Sequence, residues 1–182
     1  MNKIAISTLF SLLAATPAVA ADVYGGVKMG IAHHVQSSFQ NIGTIVNNDQ
    51  LGTGIFAGYK FADMYFIEAE YTKLGGFDIP SRIVNGSAVG ISVVASMPIK
   101  KQLSVLGKLG ISKSYLENSA APGYSGVTIT NKNTGLLVGL GFQYNVIPAA
   151  GIRGGLDIYQ EGDASSPMYA ACFWYVGGVF KF

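Results

Sequence analysis

The sequence predicts an all-β protein, an eight-stranded antiparallel up-and-down transmembrane β-barrel. Three observations carry that expectation. Apolar residues alternate with small or polar ones at a period of two along eight stretches, which is the strand signal and not the helical one. Charged side chains gather on the Gly/Ser face of those stretches and leave the other face apolar. The linkers alternate between short turns and longer polar segments, the layout of a barrel with turns on one side of a membrane and loops on the other.

The first strand is expected at about Val23–His33, with Val27, Met29 and Ile31 on one face and Tyr24, Gly26, Lys28 and Gly30 on the other. The second, Thr53–Phe61, sets Ile55, Ala57 and Tyr59 against Gly54, Phe56, Gly58 and Lys60, and Ala62-Asp63-Met64 is the following turn. The third, Tyr65–Lys73, sets Ile67, Ala69 and Tyr71 against Glu68, Glu70 and Thr72. The fourth, Ala88–Met97, carries Val89, Ile91 and Val93 on its apolar face and ends in a turn over Pro98–Lys101. The fifth, Leu103–Tyr115, sets Leu109 and Ile111 against Lys108, Gly110 and Ser112. The sixth, Thr134–Tyr144, sets Leu136, Val138, Leu140 and Phe142 against Leu137, Gly139, Gly141 and Gln143, with a turn over Asn145–Ala149. The seventh, Gly151–Gln160, sets Ile152, Leu156 and Ile158 against Arg153, Gly155, Asp157 and Tyr159. The eighth, Tyr169–Phe182, places Trp174, Val176, Phe180 and Phe182 on its apolar face and Lys181 on the other. Residues 34–52, 74–87, 116–133 and 161–168 are the longer, polar loops.

Composition fits a chain whose outer surface meets lipid. Of 182 residues, 49% are hydrophobic and only 12% charged. An average soluble domain is about 25% charged. The formal net charge of +2, with no run of Lys or Arg, gives no footprint for nucleic acid. One cysteine, Cys172, excludes an intrachain disulfide and a Cys-based metal site. Residues 1–20 have the form of a signal peptide: Lys3, an apolar run over 4–15, then Pro17 and Ala18-Val19-Ala20 as a small-x-small cleavage site. The run is too short to span a bilayer, which takes about 20 apolar residues. No Cys follows the cleavage site, which argues against a lipoprotein. The expected organisation is therefore a signal peptide over 1–20, for export through the Sec pathway, and a barrel domain over 21–182.

The direction of the charges fixes which face is inside. A Lys or Arg at mid-depth on a lipid-facing wall costs roughly 2–4 kcal/mol. Backbone groups in lipid need internal partners, so the sheet must close and the eighth strand must pair with the first. An eight-stranded barrel has an interior just wide enough for side chains to fill it. Lys28, Glu68, Glu70, Lys108, Arg153 and Asp157 all point inward on this reading, and a buried charge persists only when paired, so they are expected to form one ionic cluster. Such a cluster acts as a plug or, alternatively, as a narrow switchable ion path.

With these residues in place, the chain resembles the OmpA/OmpX-type family of small outer-membrane barrels. The resemblance rests on Gly54-Ile55-Phe56-Ala57-Gly58-Tyr59-Lys60-Phe61, on Glu68-Ala69-Glu70-Tyr71-Thr72, on Gly107-Lys108-Leu109-Gly110, on Gly139-Leu140-Gly141-Phe142-Gln143-Tyr144 and on the final Phe182. It implies that Glu68, Lys108 and Arg153 interact inside the barrel, with Glu70 able to replace Glu68. It also implies that Trp174, Val176, Phe180 and Phe182 form the signal read by the barrel-assembly machinery. No peptidoglycan-binding domain is expected after the barrel, so a link to the cell wall is not implied.

The expected location is the outer membrane of a Gram-negative-type cell, as a monomer embedded in lipid and lipopolysaccharide. The expected role is structural, with the loops presenting a surface for a host or other ligand. A small pore for ions or solutes is the alternative. A lipid-modifying barrel enzyme is a weaker alternative. A Ser nucleophile needs a base within reach, and only His33 and His34, beside Ser37 and Ser38, are available. No catalytic residue, cofactor or metal ligand is assigned. Cys172 is read as an apolar filler on the lipid face. Tyr59, Phe61, Tyr65, Tyr144, Phe180 and Phe182 are read as one aromatic girdle, and Tyr71, Tyr115 and Trp174 as the other. Asn85-Gly86-Ser87 is read as a turn.

Overall fold

A computed structural model of the chain describes residues 22–38, 41–45, 49–79, 82–120, 129–160 and 168–182. The expected signal peptide lies outside them. The strands are β1 (Val23–Ser38), β2 (Asn41–Ile45), β3 (Gln50–Ala62), β4 (Tyr65–Ile79), β5 (Arg82–Lys100), β6 (Leu103–Ala120), β7 (Ile129–Ile147), β8 (Ala150–Gln160) and β9 (Met168–Lys181). All neighbours pair antiparallel in the order β1-β3-β4-β5-β6-β7-β8-β9, and β9 returns to pair with β1. This is the expected closed barrel of eight strands. The short β2 folds back on the outer end of β1, beyond the barrel wall.

Closure runs along the full length of the seam. The β1–β9 register extends from Tyr24 opposite Lys181 to Ser37 opposite Met168. The backbone N–H of Phe182 donates to the Val23 carbonyl at 3.0 Å, so even the last residue is tied to the first strand. At the short-turn end, each turn is tied to the hairpin beside it. Ser96 N–H donates to the Met64 carbonyl at 2.7 Å, Asn145 N–H to Gln102 at 2.8 Å, and Lys181 N–H to Ala149 at 2.8 Å.

The strands are longer than the hydrophobic pattern alone indicates. β5 and β7 each have 19 residues and β6 has 18, whereas about 9–11 tilted residues cross the apolar layer. Much of 74–87 and of 116–133 is therefore sheet and not loop. Asn85-Gly86-Ser87 is not a turn; it pairs with Gly75 and Gly76 on one side and with Glu117, Leu116 and Tyr115 on the other. The physical reason is that a strand projecting into water needs a paired ladder and not an apolar face, so its side-chain pattern turns polar while its hydrogen bonds continue. The ladder adjusts at a bulge between Lys73 and Gly75, where Gly75 takes a positive φ of 76°. The short turns are likewise tighter than expected: Asp63–Met64, 101–102 and 148–149, with Pro98 inside β5.

The faces follow the alternation. Ile55, Ile91, Leu109 and Leu140 point outward and stay 58–69% exposed. An apolar belt of that extent is tolerable only against lipid. The girdle residues Tyr59, Phe61, Tyr65, Tyr144, Phe180 and Phe182 are exposed on this wall near the short turns. The lumen is filled in layers. Tyr24, Phe56 and Val179, with Phe66 against them, close the short-turn end. Ala32, Leu74, Ala88, Leu137, Ala171 and Phe173, each at 0% exposure, close the other.

Candidate functional site

Between the two apolar layers lies the ionic cluster. β1 supplies Lys28. β4 supplies Glu68 and Glu70, two residues apart and so on one face. β6 supplies Lys108, and β8 supplies Arg153 and Asp157. All six are buried, the most exposed being Lys108 at 8%. Inward glycines make the room: a Cβ on Gly139 would strike Asp157 and come within 3.3 Å of Lys108.

The cluster has a lower and an upper part. In the lower part the Arg153 guanidinium donates from Nη1 to Glu68 Oε2 at 2.5 Å. Its Nε and Nη2 donate to Gln143 Oε1 at 3.2 and 3.1 Å. Tyr24 OH donates to the same Glu68 oxygen at 2.7 Å. The guanidinium lies 4.5 Å from the Phe56 ring centre and 5.2 Å from that of Tyr24, so the aromatic layer at the short-turn end also holds the charge. In the upper part Lys28 Nζ lies 2.8 Å from Asp157 Oδ2 and 3.2 Å from Glu70 Oε1. Tyr159 OH donates to Glu70 Oε1 at 2.5 Å. With its proton committed there, the Tyr159 oxygen accepts from Lys28 and from the Thr72 hydroxyl, both at 3.0 Å. The Lys28 ammonium also sits 5.1–5.7 Å from the ring centres of Tyr159, Phe173 and Tyr175.

Lys108 joins the two parts. Its ammonium lies 2.9 Å from Glu68 Oε1, 2.6 Å from Glu70 Oε2 and 3.2 Å from Asp157 Oδ2. Three cations thus face three anions with no net charge. Burial of charge is offset by direct pairing and by hydrogen bonds from neutral groups. Tyr24, Thr72, Gln143 and Tyr159 were not assigned to this cluster from sequence. Parity had put them on inward faces; the further signal was their ability to hydrogen-bond beside a charge.

The remaining candidates lie elsewhere. Trp174, Val176, Phe180 and Phe182 form a row on the outer wall of β9, each 44–56% exposed. Lys181, assigned to the polar interior, sits instead at the exposed rim with Nζ 3.3 Å from Asn145 Oδ1, because the lumen opens at the last turn. His33 and His34 point to opposite faces of β1, so they present no common site. His33 Nδ1 pairs with Asp49 Oδ1 at 2.7 Å, and His34 is buried. The side chains of Ser37 and Ser38 lie outside the described part. Among the described residues no group of His, Cys, Asp and Glu is arranged to hold a metal.

Residues 18–160 match the family profile described as OmpA-like transmembrane domain. The chain belongs to this family. Outer membrane protein A of Yersinia pseudotuberculosis is 35% identical over 60% of the chain and 34% of the relative. Outer membrane protein A of Serratia marcescens is 29% identical over 79% of the chain and 45% of the relative. The chain spans less than half the length of these curated relatives. Among solved structures it is similar to Neisserial surface protein A, with a TM-score of 0.65 at 21% identity, covering 88% of this chain and 97% of that one. Similar too is Ail of Yersinia pestis, solved with the heparin analogue sucrose octasulfate: TM-score 0.59, 17% identity, 88% and 99% covered. For the outer membrane protein OprG of Pseudomonas aeruginosa the TM-score is 0.57 at 15% identity, with 90% and 97% covered. At these identities the structural likeness is one of fold. The OmpA-like barrel is thus an outer-membrane protein.

Proposed function

We propose that this OmpA-like barrel is a plugged scaffold of the outer membrane whose outward-projecting hairpins present a contact surface. The observation that carries this reading is the filling of the lumen. A fully paired ionic layer lies between two apolar layers, with Leu74, Leu137 and Phe173 at 0% exposure on the outer side. A lumen built this way specifies a rigid, closed wall. What projects from it is long: β5, β6 and β7, with 19, 18 and 19 residues, extend the sheet beyond the lipid. Surface contact is also in keeping with the likeness to Ail, crystallised with a sulfated sugar.

The test is binding by cells that display the protein. Replacing 39–48 and 121–128 by short turns should lower attachment to host cells or matrix to that of cells lacking the protein. The barrel should keep its heat-dependent shift in electrophoresis. Unchanged attachment with both segments removed would refute the contact role.

The pore reading has one observation in its favour: Lys108 touches three carboxylates and has alternative partners at hand. Rearranging them alone leaves the apolar layer above in place, so the plug is the better-supported reading.

A further inference from the structure

At its short-turn end the lumen opens into a small cavity that the plugged-scaffold reading does not use. The cavity measures about 90 Å³. At a liquid volume of roughly 30 Å³ per water, that is room for about three waters. Arg153, buried beneath the mouth, and Lys181, at its exposed rim, both line it. A hydrogen-bonded chain joins the two cations along one side. Arg153 donates to Gln143 Oε1, Gln143 Nε2 donates to Asn145 Oδ1 at 3.0 Å, and Lys181 Nζ donates to the same Asn145 oxygen at 3.3 Å. Ser96 and Ser104 add hydroxyls from β5 and β6.

The balance of donors and acceptors here is uneven. Both carboxamide oxygens already accept two hydrogen bonds, Gln143 Oε1 from Arg153 and Asn145 Oδ1 from Gln143 and Lys181. A carbonyl oxygen has two lone pairs, so neither has a further acceptor site. Donors remain. Arg153 gives one N–H of Nη1 to Glu68 and one of Nη2 to Gln143, which leaves the second N–H of each nitrogen without an acceptor among the described residues. Lys181 uses one of its N–H groups, and the Asn145 amide hydrogens and the two serine hydroxyls bond no protein group among the described residues. The lining holds no carboxylate. The ionic cluster above is neutral in itself, and Lys181 stands outside it with no ion pair among the described residues, so the mouth carries a surplus positive charge. A donor-rich, positive recess calls for an anion with free lone pairs.

The other side of the cavity narrows the choice of anion. Phe66, Val94 and Leu106 line it, and they offer no hydrogen bond. A phosphate carries oxygen on every side and would turn some of them to this apolar wall unpaired, which is costly. A carboxylate on a short hydrocarbon body has one polar and one apolar end, as the cavity has. We propose that this mouth binds a small organic acid, with its carboxylate among Arg153, Lys181, Ser96 and Ser104 and its body against Phe66, Val94 and Leu106. The acid ends below the Arg153–Glu68 pair and does not pass it, and the site is independent of any ligand of the outer hairpins.

The test uses the folded full-length barrel in detergent micelles, with propionate as the probe at fixed ionic strength. The backbone amide signals of Ser96, Ser104 and Asn145 should shift and saturate, with a Kd in the millimolar range that so small a ligand sustains. Lys181→Gln should weaken binding on the order of fivefold, the worth of one charge at a solvent-exposed rim. Lys181→Arg should restore it. Ser104→Leu, which fills the cavity, should abolish saturation, and Lys113→Gln at the far end should change nothing. Lys181 is exposed, so its variants remain informative even if Ser104→Leu does not fold. A short peptide ending in alanine and its C-terminal amide separate two sources of the same chemistry. Binding of the free-acid peptide, lost on amidation, supports the site as one for chain-terminal carboxylates. Binding of propionate without the peptide supports it as one for free acids. Shifts that grow without saturating would overturn the proposal. So would an equal response to 1-propanol, binding of inorganic phosphate as tight as that of propionate, or unchanged affinity in Lys181→Gln.

Discussion

Glu68→Gln should destabilise the folded barrel by about 3–5 kcal/mol, the cost of breaking a buried ion pair by removing one partner. Glu68 has no solvent exposure and holds Arg153, Lys108 and Tyr24 at 2.5–2.9 Å. Gln keeps the shape but leaves the cluster with one uncompensated positive charge. Removing a second charge should then help: Glu68→Gln/Arg153→Met restores neutrality and should be no less stable than Glu68→Gln alone. Urea unfolding in lipid vesicles checks this, followed by the emission of Trp174, the one tryptophan of the chain and 56% exposed on the lipid face. Lys60→Gln is the control, since Lys60 meets only exposed Asp63 at 4.0 Å; it should shift stability by less than about 1 kcal/mol. A Glu68→Gln barrel as stable as that control would mean that the cluster is not a paired plug.

The closing seam should be nearly as sensitive. A Cβ on Gly30 would overlap the carbonyl oxygen of Trp174 on the facing strand, and one on Gly177 would overlap that of Val27. These obstacles are backbone, which cannot turn aside as a side-chain tip can. Overpacking costs about 1–3 kcal/mol and occasionally more, so Gly30→Val should lose about 3 kcal/mol. Gly107→Val, whose Cβ points into open space with nothing within 4 Å, should be close to neutral. We further propose that Trp174, Val176, Phe180 and Phe182 are read by the assembly machinery while this seam is still open. Deleting Phe182 should then lower the yield of heat-modifiable barrel in cells without blocking export. Wild-type yield from both the Gly30→Val and the Phe182-deleted chains would remove the seam from the account.

The period of two was enough to tell the lumen face from the lipid face along the strands, because burial there depends on parity; Lys181, at the open rim, is the exception. Lys28, Glu68 and Arg153 stood out because a charge among glycines needs a partner across the barrel. Their actual partners were less legible. That Lys108 bridges Glu68, Glu70 and Asp157 depends on the shear between strands, which side-chain alternation does not encode. For Tyr159 and Tyr24 parity indicated only an inward face, since a tyrosine satisfies an apolar layer and an ionic layer equally. The extension of β5 to β7 was hidden for another reason: Asn85, Ser87 and Thr130 are polar in a strand in water just as they are in a loop.

The central claim is that the lumen is filled and closed. Single-channel recording in planar bilayers tests it most directly. The folded protein should give no stable conductance steps, and neither should Glu68→Gln, because Leu74, Leu137 and Phe173 still close the outer end. Reproducible steps from the wild-type barrel that vanish when Glu68 or Arg153 is neutralised would contradict the account and establish a conducting path through the cluster.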